Sequence, residues 1–196
     1  MYPKIKASKM ETSFLSRAEL QAIGFRNIGT DVLISRKASV YSPQLIQIGN
    51  HVRVDDFCIL SGIINLGSYI HISAYTALYG GFGIVVADYA TISGRVLIYS
   101  QNDDYSGSYM TNPMVPEEYT HVEGAEVRIG KHAIIGAGSV VLPGVTINEG
   151  TCIGAMSLVK SNTEAWMMYA GVPVKLIRPR DQGILELEKK FQRDQE

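Results

Sequence analysis

Tryptophan occurs once, cysteine twice and histidine four times in 196 residues. Each shortage excludes something. Two cysteines make neither a disulfide framework nor a metal pair, so Cys58 and Cys152 are expected as reduced core residues at small inward positions. The histidines show no ligand spacing, so no metal site is expected. Neither sign of charge prevails: 18 basic and 19 acidic side chains leave a net charge of −1. That balance offers no electrostatic reason to bind nucleic acid or an anionic membrane. No apolar run is long enough to span a bilayer, and Met1 to Lys6 lacks the core of a signal peptide. A cytoplasmic protein is expected, with no membrane partner. A hydrophobic content of 46% and a charged content of 19% suit one globular domain of this length.

What the chain does have is a period of six. An aliphatic residue returns at Ile129, Ile135, Val141, Ile147, Ile153 and Val159, followed by glycine at Gly130, Gly136 and Gly154. Small residues stand four places after it at Ala133, Ser139, Thr151 and Ser157, with Val145 between. Upstream the same period runs through Ile28, Ile34 and Val40. After two extra residues it resumes at Ile48, Val54, Leu60, Leu66, Ile72 and Leu78, and after two more at Val86, Ile92 and Ile98. Six fits neither the 3.6 period of a helix nor strand alternation. It fits short strands joined by tight corners, three to a coil, stacked as a parallel β-helix. About six coils at about 4.8 Å each predict a prism roughly 30 Å tall.

The fold class is therefore all-β, one domain with dressings. Residues 1–27 form an N-terminal segment with a short helix: Ser16 and Glu19 make a capping box, Leu15 and Leu20 a staple, and Gly24 a stop. The β-helix spans 28–164, interrupted by an insert at 104–128 that carries Tyr105, Tyr109, Asn112, Tyr119 and His121. A structureless loop of that length points to function. Residues 165–196 form a C-terminal cap and helix. There Trp166 and Met167 are expected to cover the open end of the prism. Ile184, Leu187 and Phe191 mark an amphipathic packing or subunit helix.

The hexads, together with Tyr169-Ala170-Gly171-Val172-Pro173-Val174-Lys175-Leu176-Ile177-Arg178, resemble the hexapeptide-repeat acyltransferases. That resemblance implies a left-handed β-helix, a homotrimer and acetyl-CoA as co-substrate. Four further stretches narrow it: Ser16 to Leu20 with Gly24-Phe25, Val54 to Gly62, Tyr99-Ser100 with Asp103 to Gly107, and Thr111 to Pro113. They look closest to enzymes that N-acetylate nucleotide-linked 4-amino-4,6-dideoxy sugars, above all dTDP-4-amino-4,6-dideoxyglucose, for surface polysaccharides. The partners implied are a nucleotide sugar and coenzyme A.

Hydroxyl-acetylating relatives end the hexad that matches Ile98 to Asp103 with a catalytic histidine. Here Asp103 holds that place. A hydroxyl needs a base to become nucleophilic, whereas a free amine already carries a lone pair. A carboxylate there suits an ammonium group. Asp103 and His71, the latter expected at an outward corner that could meet a neighbour's Asp103, are the catalytic candidates. His51 and His132 are expected on the surface. For acceptor binding the resemblance implies Asp55, Asp56, Ser73, Asn102, Asp104 and Tyr105, and His121 in the insert is added as a further candidate, next after His71 as a base. For coenzyme A it implies Ala137, Ala155, Lys160 and Ser161, with Lys175 and Arg178 near the nucleotide phosphates. Two other readings stay open: O-acetylation of a sugar or small hydroxylated molecule, which Asp103 disfavours, and a non-catalytic scaffold, which would need neither insert nor basic tail.

Overall fold

The six-residue period buries one aliphatic side chain per strand. The computed structural model describes residues 13–195; residues 1–12 of the expected N-terminal segment, Met1 to Lys6 among them, and Glu196 lie outside the described residues. From Ile48 to Val159 every periodic aliphatic residue is at most 3% exposed. Ile28 and Val40, near the first coil's open end, are half-buried against the same core. The small residues two places earlier, Thr76, Ala90, Ala133, Ser139, Thr151 and Ser157, are buried with them.

The product is a parallel β-solenoid of about 7 turns, one more than the period predicts. One face stacks Leu33–Ile34, Arg53–Val54, His71–Ile72, Thr91–Ile92, Ile134–Ile135 and Cys152–Ile153, all in parallel register. Met167–Ala170 extends that face in parallel, and Lys175–Pro179 closes it antiparallel. The next face stacks Leu97–Tyr99 between Ala77–Val86 and Val140–Val141. Ile59–Leu66 and Ala77–Val86 each run through a corner onto the third face. The two register expansions have different solutions. Pro43–Leu45 makes a single 3-10 turn, whereas the second is absorbed within the long strand Ala77–Val86.

Two of the corners are made by residues with left-handed backbone. At one, Asp31, His51, Tyr69, Tyr89, His132 and Gly150 all have φ between 51° and 65°. Their rings stack at the coil spacing: His51 on Tyr69 at 4.6 Å, Tyr69 on Tyr89 at 5.1 Å and Tyr89 on His132 at 5.1 Å. Gly150 has no room for a side chain, because the Trp166 ring lies 2.3 Å from where a Cβ would sit.

Several expectations need correction here. Cys58 is buried, but Cys152 is not an inward core residue: it immediately precedes Ile153, so alternation turns it outward and leaves it half-buried. His132 is no surface residue; it is 8% exposed and lies under the C-terminal helix. Trp166 belongs to the corner column, while Met167 begins the strand Met167–Ala170 that pairs along the last coil's edge. The insert is anchored at its root, where Gln101–Asp103 pairs antiparallel with Val122–Gly124, and Val127–Ile129 is already back in the coil.

Helix α1 (Arg17–Ile23) starts in the expected Ser16–Glu19 capping box, ends at Gly24 in left-handed conformation, and buries Leu20 over the first coil. Helix α2 (Ile184–Arg193) docks on the ring column, Phe191 meeting Tyr69 edge-on at 5.3 Å. Glu188 fastens it, bonding Lys131 Nζ at 2.6 Å and His132 Nε2 at 2.8 Å. Burial pushes the Glu188 carboxyl up, but the Lys131 and His132 hydrogen bonds outweigh it and hold the group below its ordinary 4.5. A lowered folded value means the clasp is fully present above 4.5 and is lost as pH falls through that lowered value. Glu188→Gln should destabilise the fold by about 2 kcal/mol at neutral pH. Denaturation followed by Trp166 fluorescence checks this: the difference between variant and wild type should vanish in acid.

Candidate active site

Where the chain leaves the second face after Tyr99, two clefts open side by side. The larger, about 670 Å³, lies under the insert and is lined by Asn102 to Ser106, Tyr109, His121 and Glu123, with Ala125 and Pro143 as its floor. The second, about 450 Å³, has an apolar wall of Tyr79, Tyr99, Val140 and Leu142. Asn102, Asp103 and Tyr105 line both. Asp103 therefore stands at the junction of the two clefts. Burial raises the Tyr99 phenol above its usual value.

One carboxylate shapes the first turn of the insert. Asp104 accepts hydrogen bonds from the Ser106 hydroxyl at 2.8 Å and from the backbone N–H groups of Gly107, Ser108 and Tyr109 at 2.9–3.3 Å. These bonds, the Ser106 hydroxyl first, pull its carboxyl below the ordinary range. Asp104 thus lines the cleft while its oxygens order the loop. His121 stacks on Tyr109 at 5.0 Å and meets Glu123 at 3.3 Å.

A second cluster lies on the face that carries His71. The ring does not sit at a corner, as the sequence suggests; it projects outward from the strand His71–Ile72. Its Nε2 bonds Asp55 Oδ2 at 2.8 Å, with Ser73 Oγ 3.5 Å from the same nitrogen. Both contacts fall on one nitrogen, so this is no serine–histidine–aspartate relay, which needs both. With Nε2–H given to Asp55, Nδ1 carries the lone pair. Burial raises the Asp55 carboxyl, and the bonds from His71 and Arg53 more than offset that. Asp56 is turned to the preceding coil, accepting from Ser35 and Lys37.

The donor candidates divide. Ala137 and Ala155 are exposed on consecutive coils of one corner, where the Met156 N–H donates to Ala137 O at 2.8 Å. Lys175 joins them through Ala170, which pairs with Lys175 and packs on Gly154; Arg178 lies further along the same strand. Lys160 and Ser161 stand one face away, where the chain leaves Leu158–Val159.

Residues 126–161 match the family model described as bacterial transferase hexapeptide (six repeats). The dTDP-4-amino-4,6-dideoxy-D-glucose acyltransferase of Escherichia coli is 48% identical over 182 residues, covering 91% of this chain and 95% of that protein. The chain belongs to the hexapeptide-repeat acyltransferases. Among solved structures, AntD, an N-acyltransferase from Bacillus cereus in complex with dTDP and 3-hydroxybutyryl-CoA, is 50% identical. Its TM-score is 0.92, over 94% of this chain and 99% of that one. A serine variant of AntD holds dTDP-4-amino-4,6-dideoxyglucose and coenzyme A, with a TM-score of 0.92. The galactoside O-acetyltransferase of Escherichia coli K12 is more distant, 32% identical over 57% of the chain.

Within this family member the described residues contain no group of three His, Cys, Asp or Glu side chains able to hold a metal. No described helix is long and apolar enough to cross a membrane. Replacing Asp104 with Ala should release the insert. Chymotrypsin should then cut after Tyr105, Tyr109 or Tyr119 well before the solenoid unfolds; unchanged resistance would mean that the carboxylate does not order the loop.

Proposed function

We propose that this chain is a coenzyme A-dependent N-acyltransferase acting on a nucleotide-linked 4-amino-4,6-dideoxy sugar, with dTDP-4-amino-4,6-dideoxyglucose as acceptor and acetyl-CoA as donor. The observation that carries the reading is the carboxylate of Asp103 at the junction of the two clefts. Solved AntD variants replace one serine and one aspartate ten positions after it. This chain has a single serine–aspartate pair at that spacing, Ser93 and Asp103. Nothing local singles Ser93 out in the sequence, because it follows the periodic Ile92 in an ordinary hexad and has no histidine beside it.

The amine nitrogen attacks the thioester carbonyl, the N–C bond forms, and the C–S bond breaks. The amine proton ends on the departing thiolate. Asp103 holds the amine, and Ser93 steadies it from the other side. His71 stands one coil from Thr91, so Ser73 and Ser93 are neighbours in one column. His71 Nδ1 is a site where the proton can rest in transit. Two reactants oriented in one groove supply much of the acceleration, so a strong base is not required. The acyl chain runs along the apolar wall of Tyr79, Tyr99, Val140 and Leu142.

In this reading the enzyme is a homotrimer. Ser93 and Asp103 lie at opposite ends of Leu97–Tyr99, so one acceptor amine is flanked by Ser93 of one copy and Asp103 of the next. The same arrangement unites Ala137, Ala155, Lys175 and Arg178 of one copy with Lys160 and Ser161 of another around coenzyme A. Backbone N–H groups and the two fixed cations suit the pantetheine arm and the phosphates. Asp55, Asp56, Asn102, Tyr105 and His121 border the acceptor. Both substrates are intracellular metabolites, which places the enzyme in the cytoplasm at a step of surface polysaccharide synthesis.

A thiol-release assay with acetyl-CoA across dTDP-, UDP- and GDP-linked sugars tests the reading. The dTDP-linked 4-amino sugar should turn over fastest. Asp103→Asn should raise its apparent KM about tenfold by removing one charge-assisted bond. Hydroxyl sugars outpacing amino sugars would contradict the assignment.

A further inference from the structure

The corner between the His71 face and the Tyr99 face carries a column that the reaction itself does not use. Reading up the coils, its left-handed positions are Phe57 at φ 60°, Tyr75 at 62°, Arg95 at 61°, Gly138 at 72° and Met156 at 54°. Phe57 and Tyr75 stack with ring centroids 4.9 Å apart and planes 23° apart. Unlike the other aromatic corner, no helix of the described residues covers them: Phe57 is 46% and Tyr75 55% exposed. Lys37 lies over Phe57 at 5.3 Å but is paired with Asp56. Arg95 occupies the next rung, and no carboxylate lies within ion-pair distance of it among the described residues. The column therefore runs aromatic, aromatic, uncommitted cation, then glycine.

Its order matches the order of groups in a nucleotide sugar. Resting on the function proposed above, we propose that Tyr75, backed by Phe57, forms the shelf for the nucleobase and that Arg95 is the anchor for the diphosphate of the acceptor. An aromatic face stacks any base, and a guanidinium forks onto phosphate oxygens. Ser93 is two residues before Arg95 on the same coil, so a diphosphate held by Arg95 brings its sugar to Ser93. The coils beyond carry the small residues Ala137 and Ala155 beside the donor, with Met156 packed over Gly138. The acceptor thus occupies the N-terminal half of one corner column and coenzyme A the C-terminal half, and they meet at the coil of Ser93. The strain of placing Phe and Tyr in left-handed backbone gains a use in this arrangement, since it aims both rings out of the prism along one line.

Calorimetric titration of the full-length protein with dTDP, thymidine and coenzyme A separates the parts. Tyr75→Ala should weaken dTDP and thymidine alike, by about tenfold or more. Arg95→Ala should weaken dTDP about tenfold and leave thymidine unchanged, because thymidine has no phosphate. Coenzyme A should bind all variants as it binds wild type. Tyr75→Phe keeps the ring and should bind dTDP normally, which separates stacking from any folding defect. Wild-type dTDP affinity in both alanine variants would overturn this shelf while leaving the proposed function standing. A wild-type protein that binds no dTDP would overturn both. Loss of assembly in sedimentation of Tyr75→Ala, with Tyr75→Phe also failing to bind, would assign the rings to a contact between copies instead.

Discussion

A solenoid coil this short closes only if its corner residues take positive φ, and this chain does so with large side chains. Among the described residues twelve non-glycine residues have positive φ, ten of them at these corners, including Phe57, three tyrosines, His51, His132 and Trp166. Left-handed backbone costs an L-residue about 1–2 kcal/mol. Stacking between consecutive corners offsets part of this, because coils repeat at the distance at which rings stack. One corner column is sealed by α2 through Glu188 and Phe191. The other is left open, and that asymmetry tells a structural ladder from a binding one.

The remaining features follow from a rigid prism whose inside is uniform and whose outside varies coil by coil. Main-chain pairing fixes the height of each outward residue, so His71, Ser73, Ser93 and Asp103 have set relative levels. The insert adds what coils cannot make, a concave cleft, and is shaped by the Asp104 carboxylate, the antiparallel pair at its root and the Met110–Thr120 bridge. A stiff scaffold with one ordered loop suits a reaction whose acceleration comes mainly from placement.

The inward pattern was legible because burial acts on every coil alike: the aliphatic positions from Ile48 to Val159 are all core, and the capping box of α1 is as read. What escaped was the outward half. Cys152 was set one place off, since a cysteine reads equally well as a small inward residue. His132 was assigned to solvent because nothing local shows that α2, more than fifty residues on, returns to cover it. The ring columns had a usable signal. His51, Tyr69, Tyr89 and His132 each precede a periodic aliphatic residue by three positions, as do Phe57 and Tyr75 in the other column. For the site, Asp103 stood out as a departure from a known hexad, whereas Ser93 is one hydroxyl among many until a spacing singles it out.

The central claim is that one active site is assembled from two copies, Ser93 from one and Asp103 from its neighbour. Subunit mixing tests it most directly. Ser93→Ala and Asp103→Ala proteins, each strongly impaired, are combined, dissociated and reassembled, and thiol release is measured. Random reassembly should restore activity well above either parent, because some boundaries regain both native residues. Activity no greater than the average of the two parents would place both residues in a site within one chain and contradict the account.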